Sequence, residues 1–188
     1  MAPEEVTRPR APGVLLGIGL GGFVDGIVLH QILQWHHMLT SEGDYPPTTV
    51  AGLETNTLWD GLFHAFTWAA VAGGIWILWR RTTERRWAFS GRAFVGSMLV
   101  GWGLFNLVEG IVDHQLLGIH HVRDDLGGPL SWDVGFLVFG ALLVVVGYLL
   151  ARSDADWQHQ AARGCLSQVE GSDTSTQVGA GPESQGIH

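Results

Sequence analysis

Four long apolar stretches, separated by polar segments, organise the chain: roughly Val14–Trp35, Leu58–Trp79, Ala93–Leu117 and Leu130–Ala151. Each is close to the ~20 residues a helix needs to cross ~30 Å of hydrocarbon. The pattern predicts an all-α integral membrane protein with its four-helix domain over residues 13–151. Residues 1–12 form a short polar lead-in, in which Arg8 and Arg10 give the start the look of a signal peptide. That reading fails, because the pattern of the first stretch recurs in mid-chain. Residues 152–188 are rich in Ser, Gly, Gln and Thr with little apolar content, which predicts a disordered cytoplasmic tail.

The recurrence is specific. Val24-Asp25-Gly26-Ile27-Val28-Leu29-His30-Gln31-Ile32-Leu33-Gln34-Trp35-His36-His37 aligns with Val108-Glu109-Gly110-Ile111-Val112-Asp113-His114-Gln115-Leu116-Leu117-Gly118-Ile119-His120-His121, nine of fourteen positions being identical. Asp25 and Glu109 keep a carboxylate at the same place. More faintly, Trp59, Asp60, Phe63 and Phe66 match Trp132, Asp133, Phe136 and Phe139, while His64 meets Leu137. The unit is a two-helix hairpin used twice, at about 13–79 and 93–151. A two-helix unit returns to its starting side, so the copies run parallel about a pseudo-twofold axis along the membrane normal. The expected fold is a four-helix bundle in which Asp25 faces Glu109 and His30 faces His114.

The Val-Asp-Gly-Ile-x-x-His-Gln run, the Asp60-Gly61-Leu62-Phe63-His64 run and the Glu109-Gly110-x-x-Asp113-His114-Gln115 run resemble a family of predicted membrane proteins, domain of unknown function 2243, over roughly residues 13–150. The resemblance implies a four-helix membrane protein and no particular activity, so the chemistry has to come from the residues.

Composition agrees with the membrane reading. Hydrophobic residues make up 46% and charged residues 15%, against about a quarter charged in soluble domains. The 27 glycines and 9 tryptophans suit membrane helices and their interfaces. Arg8 and Arg10, then Arg80, Arg81, Arg85, Arg86 and Arg92, then Arg152 and Arg163 lie on one side, and Arg123 on the other. The positive-inside rule therefore puts both termini and the middle loop in the cytoplasm, with loops 38–57 and 118–129 facing outwards from the cell membrane. With a net charge of −8 and no lysine, the chain has no basic face for nucleic acid. The lone Cys165 excludes an intrachain disulfide and a cysteine-based metal site. The bilayer is the expected partner, with a homo-oligomer or a respiratory-type membrane complex as the protein partners left open.

The candidate chemistry lies in the outer half. Asp25 and His30 fall on helix one, Asp60 and His64 at the start of helix two, Glu109, Asp113 and His114 near the end of helix three. Asp133 opens helix four, and His36, His37, His120 and His121 stand at the outer interface. A carboxylate at the bilayer centre costs about 2.5–3.5 kcal/mol on insertion scales, so ionisable groups there are functional by default. Mutual repulsion favours a cation among them. Carboxylates with imidazoles suit Zn, Fe or Cu. Helix angles limit the set: at ~100° per residue His30 lies ~140° round from Asp25, so one straight helix cannot aim both at one ion. Either they belong to two layers, or Gly26 and local bending re-aim them; the favoured site consists of His30, His64 and His114 with Asp60 and Asp113, while Asp25, Glu109 and Asp133 orient histidines or form a proton route. Plainer roles stand beside these. Asp60 and Asp133 can cap helices, Gln31 and Gln115 can bridge them, and the His-His pairs can be interfacial. Trp35, Trp59, Trp79 and Trp132 suit interface anchors, and Gly17, Gly21, Gly22 and Gly26 suit close helix packing.

Three function classes fit. The first is a membrane metalloprotein, an oxidoreductase or a hydrolase, with no Ser or Cys nucleophile in the cluster. The second is a haem electron carrier with His30 and His114 as axial ligands; the neighbouring carboxylates rank it lower, since haem pockets are apolar. The third is a proton or ion pathway, which would stop halfway, because Ala69–Leu78 and Ala141–Leu150 carry no acidic, basic or histidine side chain.

Overall fold

The computed structural model describes residues 10–83 and 90–152. The expectations for residues 1–9, for Arg85 and Arg86 and for the tail from 153 fall outside these described residues. Regular structure among the described residues is all helical. Four helices are long and apolar enough to cross a membrane: α1 (Arg10–Ile32), α2 (Val50–Thr83), α3 (Gly91–Leu117) and α4 (Leu130–Arg152). A short 3₁₀ turn, Asp124–Leu126, lies in the loop before α4.

α2 starts well before the apolar stretch at Leu58. The Thr49 hydroxyl accepts from the Gly52 N–H at 3.1 Å, capping the helix there. Asn56, fully buried, accepts from the Leu39 N–H and donates to the carbonyls of Tyr45 and Gly52. Asp60 is therefore nearly three turns inside α2, at ~3.6 residues per turn, and cannot cap it. This corrects the expectation that Asp60 and His64 lie in its first turns. Ser90 caps α3 by accepting from the Ala93 N–H at 3.1 Å.

α1 and α3 form the inner pair: 44% of the membrane window of each is buried, against 11% for α2 and α4. They cross where side chains are smallest. A Cβ on Gly17 would run into the Met98 carbonyl, and one on Gly101 into the Val14 carbonyl, so only glycine permits this approach. α2 packs on α1 through Gly19 against Thr67 and Val71, and α4 packs on α3 through Gly103 against Gly140. The large apolar side chains point outwards, as with Phe66, Trp68, Leu142 and Val145, while the buried positions are held mostly by glycines and polar side chains. This is the reverse of a water-soluble fold. It follows from a lipid solvent in which apolar surface gains little by being hidden and polar groups must find one another.

The last stretches of α1 and α3 wind wider than an α-helix. Val24–Ile32 and Gly110–Leu117 are π-helical. The pattern ends with the Leu33 N–H donating to the Val28 carbonyl and the Gly118 N–H to the Asp113 carbonyl, both i→i+5. π-turns are rare and gather at functional sites. Each run is followed by a left-handed residue, Gln34 (φ 51°) after α1 and Gly118 (φ 62°) after α3. The loops that follow interlock. The Ser41 N–H donates to the Ile119 carbonyl, the Asp125 N–H to the Trp35 carbonyl, and the Ser41 hydroxyl to Asp124. Asp124 is half-buried, which pushes its carboxyl above the usual range. Arg123 clamps the same region, with its guanidinium 4.2 Å from the Trp35 ring centroid and 5.0 Å from that of Trp132. It is also doubly hydrogen-bonded to Asp125.

Candidate metal centre

The π-winding settles which of two local geometries the chain adopts. In an α-helix, residues five apart point ~140° away from each other; an i→i+5 turn brings them to nearly the same side. Asp25 Oδ2 accordingly lies 3.0 Å from His30 Nε2. On α3, Glu109 and His114 have the same spacing across the second π-run.

These helix ends meet the interlocked loops, and six side chains converge. Three groups bring their ligand atoms within 4.8 Å of one another: His30, His36 and His120; Glu109, His114 and His120; Asp25, His30 and Glu109. All six residues are buried, with His30 and His120 at 0% exposure. Among the described residues, the buried side-chain nitrogens and oxygens without a hydrogen-bond partner all belong to this cluster. They are Asp25 Oδ2, both Glu109 oxygens, the Nε2 atoms of His30, His36 and His120, and both ring nitrogens of His114. Leaving one such atom unsatisfied costs about 1–3 kcal/mol, and these atoms are concentrated at one point, where they could hold a metal ion. The contact between Asp25 Oδ2 and His30 Nε2 is short, yet the atoms are not aligned as a hydrogen bond.

The outward-facing atoms of the same histidines are mostly committed. His36 Nδ1 lies 3.0 Å from the Val122 carbonyl and His120 Nδ1 lies 3.2 Å from the Met38 carbonyl. A carbonyl only accepts, so each Nδ1 carries the proton and each Nε2 turns a lone pair inward. Burial pushes the His36 imidazole down to about 4 and that of His120 well below the ordinary value, keeping both neutral. Their rings stack face to face, with centroids 4.7 Å apart.

Two carboxylates brace this arrangement in the same way. Asp60 accepts from His30 Nδ1 (3.0 Å), His37 Nδ1 (2.7 Å), the Gln31 amide (3.2 Å) and the Met38 N–H (3.0 Å). Asp133 accepts from His121 Nδ1 (2.7 Å), the Gln115 amide (3.4 Å) and the Val122 N–H (3.0 Å), with His114 Nδ1 farther off at 3.7 Å. The peptides held by these carboxylates are the ones whose carbonyls hold His120 and His36. Gln31 and Gln115 bridge helices, as their type suggests.

The predicted ligands thus separate. Asp25, His30, Glu109 and His114 come together, joined by His36 and His120, which the sequence offered as secondary candidates beside an interfacial reading. Asp60 has both oxygens engaged by N–H donors and serves to hold histidines. Asp133 does the same, so its reading as a cap of α4 is replaced. His37 and His121 lie outside the cluster against these carboxylates. His64 binds its own helix, Nδ1 to the Asp60 carbonyl at 2.7 Å, and joins none of the three groups. The set centred on His30, His64 and His114 is therefore not assembled. Asp113 also joins none of them and stands half-buried at a groove. Sequence reasoning missed Asn56 and the Met38 and Val122 peptides, which carry no signal in residue type.

The donor set fits a bare ion. A porphyrin between His30 and His114 does not fit, because the stacked rings of His36 and His120 stand between them. His36 lies 4.5 Å from His30 and 6.2 Å from His114, and His120 lies 4.8 Å from His114, all between ring centroids.

A family model described as a predicted membrane protein, DUF2243, matches residues 12–154. No curated protein matches the chain, and no solved structure matches it.

Proposed function

Because the chain belongs to the DUF2243 family of predicted membrane proteins, whose description carries no activity, we propose from the site itself that it is a membrane metalloprotein. Its transition-metal centre is held by His30, His36, His114 and His120 with Asp25 and Glu109. The observation that carries this reading is the convergence of eight partnerless buried atoms on one place. Asp60, Asp133 and two peptide carbonyls orient the imidazoles from behind. Among the described residues no arginine reaches the cluster, and the chain has no lysine, so a bound cation would offset the charge of Asp25 and Glu109. Imidazole with carboxylate suits Zn, Fe or Cu. Such an ion supplies Lewis acidity or a redox change, which makes an oxidoreductase or a hydrolase the matching enzyme classes. The residues' own part is to aim lone pairs at the ion, fix the tautomers and exclude water.

The two-hairpin repeat belongs to the same reading. The Gly17–Met98 and Gly101–Val14 contacts are reciprocal, with the same sequence offset as Val24 to Val108, and both π-runs fall on aligned positions. The arginine distribution supports termini in the cytoplasm and a centre towards the outer face of the cell membrane.

The test is elemental analysis of full-length protein purified in detergent without chelator. At least one equivalent of Zn, Fe or Cu per chain is expected, falling sharply in His36→Ala and His120→Ala. Folded wild-type protein free of all three would overturn the reading. A Soret band in the same sample would restore the haem alternative against the packing argument.

A further inference from the structure

A groove of about 510 Å³ runs along the side of the helices, a size typical of small-molecule sites at ~300–1,000 Å³. Phe63 and Phe66 of α2 form one wall, and Leu104 and Val108 of α3 the other, over Ile18 of α1. Phe66 and Val108 are 58% and 61% exposed, so the groove opens sideways on the surface that the bilayer covers. It is apolar except where it reaches Glu109 and Asp113, which also line it. Glu109 is 4% exposed and both its oxygens lack a partner. The groove therefore runs from the lipid side of the protein up to Glu109, a member of the cluster whose oxygens are themselves covered.

Asp113 is the second observation. Its carboxylate makes no hydrogen bond or ion pair among the described residues and braces no histidine. The aligned position on α1 is Leu29, so the acid is added to one copy of a matched pair. An acid at this depth is costly unless something uses it. A half-buried carboxylate at the end of an apolar groove calls for a donor head on an apolar tail. A neutral hydroxyl supplies that donor without the desolvation cost of an ammonium. After donating, its oxygen still has lone pairs to turn towards the cluster.

We propose that this groove admits a lipid-soluble alcohol or hydroquinone from the bilayer, its hydroxyl donating to Asp113 and its apolar part lying between Phe66 and Val108. The role of that molecule as a substrate rests on the metal reading; its binding does not.

The experiment uses the full chain in phosphatidylcholine nanodiscs and a diazirine-bearing dodecyl alcohol. The methyl ether and the dodecylammonium analogue serve as controls, with photolabelled peptides mapped by mass spectrometry. The alcohol should label the Phe63–Phe66 and Leu104–Val108 segments roughly fivefold more than the ether, the discrimination expected of one hydrogen bond. Asp113→Leu, which restores the residue of the aligned segment, should erase that preference, and Val108→Trp should block labelling by all probes. Equal labelling by alcohol and ether, stronger labelling by the ammonium, or a preference that survives Asp113→Leu would each overturn the proposal. Metal content measured on the same samples separates the two readings. Metal-free protein that discriminates between the probes sinks only the metal centre; metal-replete protein that does not discriminate sinks only the groove.

Discussion

Asp60→Asn is the sharpest test of how the centre is braced. The two side chains have nearly the same shape, so the change is chemical. Oδ1 accepts from His30 and the Met38 N–H, and Oδ2 from His37 and Gln31. An amide offers one oxygen, so its NH₂ must face two donors. The cheaper choice turns the NH₂ towards His37 and Gln31, which are nearer the surface and can reorient; His37 is 13% exposed and His30 0%. His30 then keeps an acceptor but loses its negative charge. Charge-assisted hydrogen bonds are roughly twice as strong as neutral ones, and changing a partner behind a metal-bound histidine typically costs ~10–100-fold in affinity. Asp60→Asn should fall near the tenfold end of that range. Asp60→Leu should approach a hundredfold, because it also strands the His30 and Met38 donors at about 1–3 kcal/mol each. Asp133→Asn should cost least, because His114 stands 3.7 Å from Asp133, beyond hydrogen-bond reach. Competition against a fluorescent chelator reads all three. Wild-type affinity in Asp60→Asn, or a larger loss in Asp133→Asn than in Asp60→Asn, would refute the argument.

The remaining expectations concern single residues. His64→Ala should leave metal content unchanged while His120→Ala, in two of the three groups, abolishes it; elemental analysis distinguishes them, and a metal loss in His64→Ala would return that residue to the centre. Gly17→Ala and Gly101→Ala place a methyl against backbone carbonyls that cannot step aside, so each should destabilise by about 1–3 kcal/mol, read as a lower melting temperature in detergent. Gln34→Gly relieves a left-handed backbone worth roughly 1–2 kcal/mol, partly offset by ~0.4–1 kcal/mol of unfolded-chain freedom. A net gain of up to about 1 kcal/mol in the same assay is expected, and a loss would mean that the Gln34 side chain contributes more than its exposed position suggests.

Much of this architecture was legible in the sequence, and the shortfall has one main cause. Helix number and approximate span follow from apolar run length alone. The start of α2 did not, because its first turns are polar and are fixed by Thr49 and Asn56, whose partners lie in the folded loop. The ligand set was misjudged where a 3.6-residue period was assumed. Under that period Asp25 and His30 diverge, and His64 looks like the natural third ligand. The chain's only hint of wider winding was the equal spacing of Asp25 to His30 and Glu109 to His114. His36 and His120 looked interfacial because nothing local reveals that the loops carrying them fold back over the helix ends. A better filter was available in the alignment itself. Every member of the cluster has a counterpart: Asp25 with Glu109, His30 with His114, His36 with His120. Of the polar residues first taken for ligands, His64 and Asp113 face leucine in the other copy and join none of the groups; Asp60, paired with Asp133, passes that filter and still joins none, because its oxygens hold histidines.

That pairing also bears on what kind of centre this is. Closed structural zinc sites fill four positions with protein ligands, whereas catalytic ones keep a position open. Each of the three groups here offers three ligand atoms, and they overlap through His30, Glu109 and His120. No group by itself fills a coordination sphere, so an ion held by any one of them alone would keep a position for a small molecule. The loop side is covered by the interlocked segments and the Arg123 clamp. The side at Glu109 is different, since that residue belongs both to two of the groups and to the groove wall. An open coordination position beside an apolar entrance suits chemistry on a molecule that arrives through the bilayer better than it suits a staple for the fold.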